Sequence, residues 1–258
     1  MNAARYACGM AHTLQASVEL MNVQPLPVTI SEVPMPVDTL AIAIEESERE
    51  LKELKATLQN ETNDKITITV SATTGNLMSE LGDLTASTKP LAVVMGMQGS
   101  GGGERWLFGS NAEAAMRQLP CPVIIVPHDA VYKKTERLGL ACDMKDVAGT
   151  IPFNSIRNII ALLQCELHIL NIHPGERENK EEVEAILLKN KLSDLDPDIH
   201  FIGREDTTKA ILELVDLSHI DMLVVVPKKH GLIGSMFHKS FSNHVAEHMH
   251  IPVMALHL

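Results

Sequence analysis

The chain has 258 residues, 45% hydrophobic and 21% charged, a length that fits one large domain or two small ones and a composition that excludes a disordered chain. Lys+Arg 22 against Asp+Glu 33 gives a net charge of −11, which repels phosphate backbones and argues against general nucleic-acid binding. Aromatic residues make up only 3%, so the core must be built from Leu, Ile, Val, Met and Ala.

The apolar runs, such as Leu91 to Met97, stop far short of the roughly 20 residues that span a bilayer. The N-terminus carries Arg5, His12 and Gln15 among apolar residues and has no continuous h-region of a signal peptide. Cys8, Cys121, Cys142 and Cys165 are widely separated, with no C-x-x-C, and read as free thiols of a reducing compartment. Together these features predict a soluble, cytoplasmic protein with no membrane association.

In chain order, periodicity predicts a helix over Ala3–Leu14, a strand over Ser17–Val23, a helix over Thr39–Leu58 and a strand over Lys65–Val70. A helix over Thr74–Leu84, a strand over Leu91–Met95, a helix over Ser110–Gln118 and a strand over Val123–Val126 follow. Glu48 and Lys52 are spaced (i, i+4) on a solvated face of the second helix. The polar stretch from Pro127 to Arg137 breaks the pattern.

Beyond it, strands over Leu138–Asp143, Glu166–Ile172, Ile199–Ile202, Met222–Val226 and Val253–Leu256 alternate with helices over Ile151–Leu163, Glu178–Leu188, Thr207–Leu217 and Ser240–His248. Pro152 is tolerable in the first turn of its helix. Five strands alternating with four helices imply a parallel sheet with helices on both faces.

The two halves share one plan. Leu91-Ala-Val-Val-Met-Gly96 leads through a loop and a helix to Cys121-Pro-Val-Ile-Ile-Val126, and Asp221-Met-Leu-Val-Val-Val226 leads in the same way to Ile251-Pro-Val-Met-Ala-Leu256. Pro122 and Pro252 are 130 residues apart, which indicates a tandem duplication. The expected domains are 1–130 and 137–258. The second half opens on a strand, whereas the first opens inside its helix, so the first strand of domain 1 is missing from the alternation and its sheet should be split. A segment of about 15 residues ahead of Met1 is the expected source; a strand from a partner chain is the lesser alternative. The strands Val123–Val126 and Val253–Leu256 have edges that could pair between domains or chains, giving an intrachain pseudo-dimer, with a homodimer as a further option.

After the strand Leu91–Met95 comes Gly96-Met-Gln-Gly99, nine residues, then Gly109-Ser110-Asn111. Glycines at these positions let backbone approach a ligand closely. Gly109-Ser110 opens a helix whose free N–H groups and positive dipole end suit a phosphate, and the Ser110 hydroxyl adds a donor. The loop follows the carboxyl end of a strand, where open α/β sheets bind ligands. No Lys completes a P-loop, and Glu104 occupies the third Gly position of a dinucleotide fingerprint. The competing reading is a plain Gly-rich surface loop.

The G-x-x-G-(nine)-G-[ST] loop, the Pro-Cys-Pro-Val-Ile-Ile-Val end strand and the repeated five-strand plan resemble a tandem universal stress protein. The resemblance implies an α/β fold of two tandem doubly wound parallel five-stranded sheets, flavodoxin-like or adenine nucleotide alpha-hydrolase-like. It implies binding of ATP or AMP, with or without Mg²⁺, in the first domain. Gly96, Gly99, Gly109 and Ser110 would cradle ribose and phosphates, Met95, Gln98, Asn111 and Ala112 would flank them, and Val23 matches the position whose backbone recognises adenine. The family's acidic residue at the end of the first strand has no counterpart in the first half.

In the second half the three glycines become Val226, Lys229 and Lys239, and only Ser240 survives. Val cannot adopt Gly conformations cheaply, so this half is expected to be a non-binding support, with an anion held by Lys228, Lys229 and Lys239 as the alternative. Asp143 still ends its first strand. His244, His248 and His250 have a spacing that could hold zinc, against a plain set of surface histidines. Trp106 and Phe108 are candidates for a lid or for an anchor of the loop.

The expected function is nucleotide-regulated stress response with little or no turnover. Only Glu104 and Arg105 in the loop could serve a slow ATP hydrolase. A partner-interaction protein with an empty cradle is the third reading.

Overall fold

The computed structural model describes residues 1–25, 37–97, 109–173, 179–203, 207–227 and 249–257, with the side chains of 37–39, 172–173 and 207–208 left aside. Strands and helices alternate as α1 (Asn2–Leu14), β1 (Val18–Gln24), α2 (Val37–Thr62), β2 (Ile68–Thr74), α3 (Leu77–Thr88), β3 (Val93–Gly96), α4 (Ser110–Gln118) and β4 (Val123–Val126). The second half contributes β5 (Arg137–Cys142), α5 (Val147–Thr150), α6 (Phe153–Leu163), β6 (Glu166–His173), α7 (Asn179–Lys191), β7 (Asp198–Gly203), α8 (Thr207–Leu217), β8 (Met222–Val225) and β9 (Val253–Ala255). The helix expected over Ser240–His248 lies outside the described residues. The short helix α5 was not expected; Asp146 precedes it in the left-handed region, and Thr150 Oγ1 donates back to the Asp146 carbonyl at 2.7 Å.

The fold is α/β with parallel-dominated sheets, but the strands do not divide into two separate five-stranded sheets. Among the described residues one sheet holds only β1 and β2, paired in parallel from Val18↔Ile68 to Gln24↔Thr74. The other has seven strands in the order β3-β4-β9-β8-β5-β6-β7. Within it β7-β6-β5-β8-β9 is a doubly wound parallel arrangement with its first strand, β5, in the centre. The split of the first-half sheet matches expectation: among the described residues, nothing pairs with the second edge of β1 or of β3.

The two halves join because β4 pairs antiparallel with β9, with Val123, Ile124 and Ile125 opposite Ala255, Met254 and Val253. This is the intrachain pairing expected of the two end strands. Its hydrogen bonds remove both edges from solvent, and every residue of β4 and β9 is buried.

Strand alternation divides the seven-stranded sheet into two faces. Ile124, Leu138, Leu140, Ile169, Met222, Val224 and Met254 face α1, α6 and α7, against Tyr6, Met10, Ile156, Ile160 and Leu188. Val123, Ile125, Leu170, Leu223, Val225 and Val253 face α4 and α8, against Ala115, Met116, Ile211 and Leu214. Continuous apolar runs in these strands reflect burial on both sides. A third cluster joins Cys8 and Ala11 of α1, Leu51 and Leu58 of α2, and Leu20 and Ile68 of the two-stranded sheet. Helix α1 therefore serves two cores at once. The outer face of α2 carries Lys52–Glu48 at 2.9 Å, the expected (i, i+4) pair, and Arg49–Glu53 at 2.6 Å.

Candidate nucleotide cradle after strand β3

The site is built from the end of β3 and the start of α4. Val93 to Gly96 run parallel to Val123 to Val126, and the next residue, Met97, continues the ladder by donating its amide to the Val126 carbonyl at 3.1 Å. Gly109 donates its amide to the Met97 carbonyl at 2.9 Å, so the two ends of the intervening loop are tied beside the carboxyl end of β3. Met97 is buried in the core with Ala112, Ala115 and Met116. Sequence reasoning passed over it, although an apolar residue directly after Gly96 in the G-x-x-G run is the signal that the chain turns inward there.

Gly109 precedes α4 with φ −57° and ψ 148°, and no side chain caps the helix among the described residues. Its carbonyl accepts from the Glu113 amide at 3.0 Å, the first helical bond. The amides of Ser110, Asn111 and Ala112 fall in the first turn, where a helix has no internal acceptors for its N–H groups. Ser110 and Asn111 are exposed and Gly109 is half-buried, so among the described residues nothing covers the positive dipole end of this turn. Glu113 is directed along the helix to Arg117, at 3.1 Å.

The expected site residues separate into three groups. Gly96, Gly109, Ser110 and Asn111 come together at the β3–α4 junction with exposed or half-buried positions. Met95 and Ala112 stand beside them, but their side chains belong to the core, where Met95 packs on the cluster that holds Ala112. Ala112 is fully buried, whereas Met95 is half-buried. Gln98 and Gly99 lie outside the described residues, as do Glu104, Arg105, Trp106 and Phe108.

Val23 is at the carboxyl end of β1, paired with Thr73, in the other sheet. The junction of that sheet with α3 is tightly made. The Gly75 amide donates to the Gln24 carbonyl at 2.9 Å, and Asn76 caps α3 by accepting from the amides of Met78 and Ser79. Gly75 has φ +147°, which an L side chain rarely adopts. The helix expected from Thr74 therefore starts only at Leu77, because Thr73 and Thr74 extend the strand and Gly75-Asn76 make the turn.

The corresponding junction of the second half starts differently. Val226 is buried, with Leu256 donating its amide to Val225, and the lysines at 228, 229 and 239 lie outside the described residues. Asp143 follows β5 as expected and is buried, its Oδ1 accepting from the Lys145 amide at 3.2 Å. Beside it Asn171 Nδ2 donates to the Cys142 carbonyl at 2.9 Å. Of the histidine set, His244 and His248 lie outside the described residues, and His250 is placed 3.0 Å from Asp129 Oδ2. Among the described residues no group of three or more His, Cys, Asp or Glu is placed to hold a metal ion. All four cysteines are free thiols, with Cys8 and Cys142 buried. No described helix is long and apolar enough to cross a membrane.

Residues 1–127 match the model of the Universal stress protein family. The matched stretch runs from α1 to the end of β4 and includes the whole cradle. Among solved structures, a universal stress protein from Archaeoglobus fulgidus is similar over 100% of this chain and 93% of its own, at 17% identity and a TM-score of 0.69. A putative universal stress protein from Pseudomonas aeruginosa is similar over 95% of both chains, at 15% identity and a TM-score of 0.56. These likenesses extend the shared fold through both halves. No curated protein matches the sequence.

Proposed function

We propose that the chain is a tandem protein of the universal stress type that binds an adenine nucleotide, ATP or AMP, at the β3–α4 junction. The ligand acts as a regulator in a cytoplasmic stress response and is not turned over appreciably. Residues 1–130 form the binding domain and 137–258 a supporting one with an altered loop.

The observation that carries this reading is the uncapped first turn of α4, with exposed Ser110 and Asn111, held beside Gly96 by the Gly109–Met97 hydrogen bond. An anion there meets backbone donors and a helix dipole. Bulk charge does not help: up to residue 131 the chain has 8 basic and 15 acidic residues, so fixed amides must do the binding. The family match over residues 1–127 agrees with the resemblance that led to adenine nucleotide as the expected ligand class.

The test is calorimetric titration of the full chain with ATP and with AMP, each with and without Mg²⁺. Saturable binding at one site per chain, lost in Gly109→Lys, is expected. Binding that survives Gly109→Lys moves the site elsewhere. Phosphate release that scales with protein and is lost in Glu104→Ala would replace the regulatory reading with a hydrolase.

A further inference from the structure

Helix α7 is apolar on two sides. Its inner side carries Ala185 and Leu188, buried with Leu192 against the sheet, while Glu184 accepts from the Val147 amide at 2.8 Å. Val183 and Ile186 lie on the other side and are 64% and 61% exposed, with half-buried Leu187 beside them. Of the exposed large hydrophobic residues among those described, only these two stand one turn apart on one helix. Helix α6 packs on the same face of the sheet and turns Asn154, Asn158 and Ala161 outward instead. A helix that covers a core on one side carries polar residues on the other, so the outer side of α7 has the pattern of a second contact.

The polar residues around this pair follow a heptad. With Val183 and Ile186 at the core positions a and d, Asn179 and Asn190 occupy the core positions before and after them, and Glu182 and Lys189 both fall at the flanking position g. All four polar residues are exposed. Glu182 and Lys189 are two turns apart, about 10 Å along one helix, and do not reach each other. In an antiparallel pair of α7 helices, Val183 of one lies over Ile186 of the other, Asn179 lies over Asn190, and g residues meet g residues. Glu182 then faces the partner's Lys189, and two-fold symmetry repeats the contact. On the other flank the stem of Lys180 covers the partner's Leu187.

We propose that the outer side of α7 is an interface with a second copy of this chain, in which two α7 helices pack antiparallel across a two-fold axis. The occupant follows from charge complementarity. One acid and one base share the same flanking position, so the face is complementary to itself in the antiparallel arrangement. A parallel pair sets position g against position e, which places Glu182 against the partner's Leu187 and leaves both charges unpaired. The helix has 13 residues, about 20 Å of length, so the contact is small and the dimer is weak and reversible. Helix α7 links β6 to β7, at the far end of the seven-stranded sheet from β3, so nucleotide binding plays no part in this inference.

The test is sedimentation velocity of the full chain over a wide concentration range, on the wild type and on variants at these exposed positions, with thermal midpoints to confirm that each variant folds. The expected result is a monomer–dimer equilibrium that Ile186→Glu weakens roughly tenfold or more. Glu182→Lys and Lys189→Glu each place like charges at both symmetric contacts and weaken it roughly threefold or more. The double variant Glu182→Lys/Lys189→Glu restores the dimer, as does an equimolar mixture of the two single variants. A chain that stays monomeric throughout, or a dimer that Ile186→Glu leaves unchanged, overturns the interface. A dimer that the double variant weakens as much as the single ones overturns the antiparallel pairing.

Discussion

Ile124 and Met254 stand opposite each other at the centre of the antiparallel β4–β9 pair, and both are completely buried. They form the middle pair of the ladder that joins the two halves, within a core to which both halves contribute. Ile124→Ala should lower stability by about 2–5 kcal/mol, measured by urea unfolding. Since the residues are direct neighbours, Ile124→Ala and Met254→Ala should not be additive, with a coupling of roughly 0.5–3 kcal/mol. Strict additivity would mean that the halves are not sealed here.

Gly9 in the middle of α1 lies under the ring of Tyr132, so closely that a Cβ on Gly9 would sit 2.6 Å from Cδ1. Tyr132 in turn meets Tyr6 edge-on, with centroids 5.2 Å apart. In an exposed helix Gly→Ala stabilises by about 1 kcal/mol. Here Gly9→Ala should destabilise by roughly 1–3 kcal/mol, because the ring must leave its place. The double variant Gly9→Ala/Tyr132→Ala should recover part of the loss; a stabilised single variant would show that the ring moves freely.

Asn76 accepts from two amides at the start of α3. Asn76→Ala should cost about 0.5–2 kcal/mol, whereas Asn76→Asp or Asn76→Ser should be nearly neutral. Thermal midpoints of the three variants separate the capping role from a general intolerance of the site.

His168 Nδ1 and His200 Nε2 are 3.0 Å apart across β6 and β7. Burial, then the neighbouring His168, holds the His200 imidazole below its ordinary 6.5, with Asp198 acting in the opposite sense. Its folded pKa lies under its unfolded one, so the unfolded chain binds the proton more readily. The His200 contribution to stability is complete above about pH 6.5 and falls as pH drops toward the folded value. The urea midpoint should therefore decrease more steeply between pH 7.5 and 5.5 in the wild type than in His200→Gln. Equal slopes would assign the pH dependence to other groups.

Burial pushes the Cys165 thiol up to about 11. At pH 8 only about one molecule in a thousand carries the reactive thiolate. Alkylation of Cys165 in the native protein should be slow at pH 8 and reach the rate of a free thiol only on unfolding, as mass spectrometry of labelled peptides can follow.

Much of the fold can be read in the sequence, because parallel strands buried on both faces appear as short apolar runs such as Val123–Val126, and α4 is bounded by Gly109 at its start. The split of the first sheet is also legible, through the repeat. Less legible is the start of α3, where periodicity runs on through Thr73 and Thr74 although their β-branched side chains keep the strand going to Gly75. The site divides in the same way. Glycine spacing locates Gly96 and Gly109, but the inward turn of Met97 depends on a backbone bond to Val126, a partner 29 positions away that no local pattern specifies.

The β4–β9 ladder also constrains how the protein is made. Val123 and Val253 are 130 residues apart, which at 5–20 residues per second is roughly 6–26 s of synthesis. Throughout that interval Val-Ile-Ile-Val of β4 is an unpaired apolar edge, the kind that recruits other nascent chains. The architecture that leaves the finished molecule without a free edge at this joint thus leaves that edge open on the ribosome until the last strand has been made.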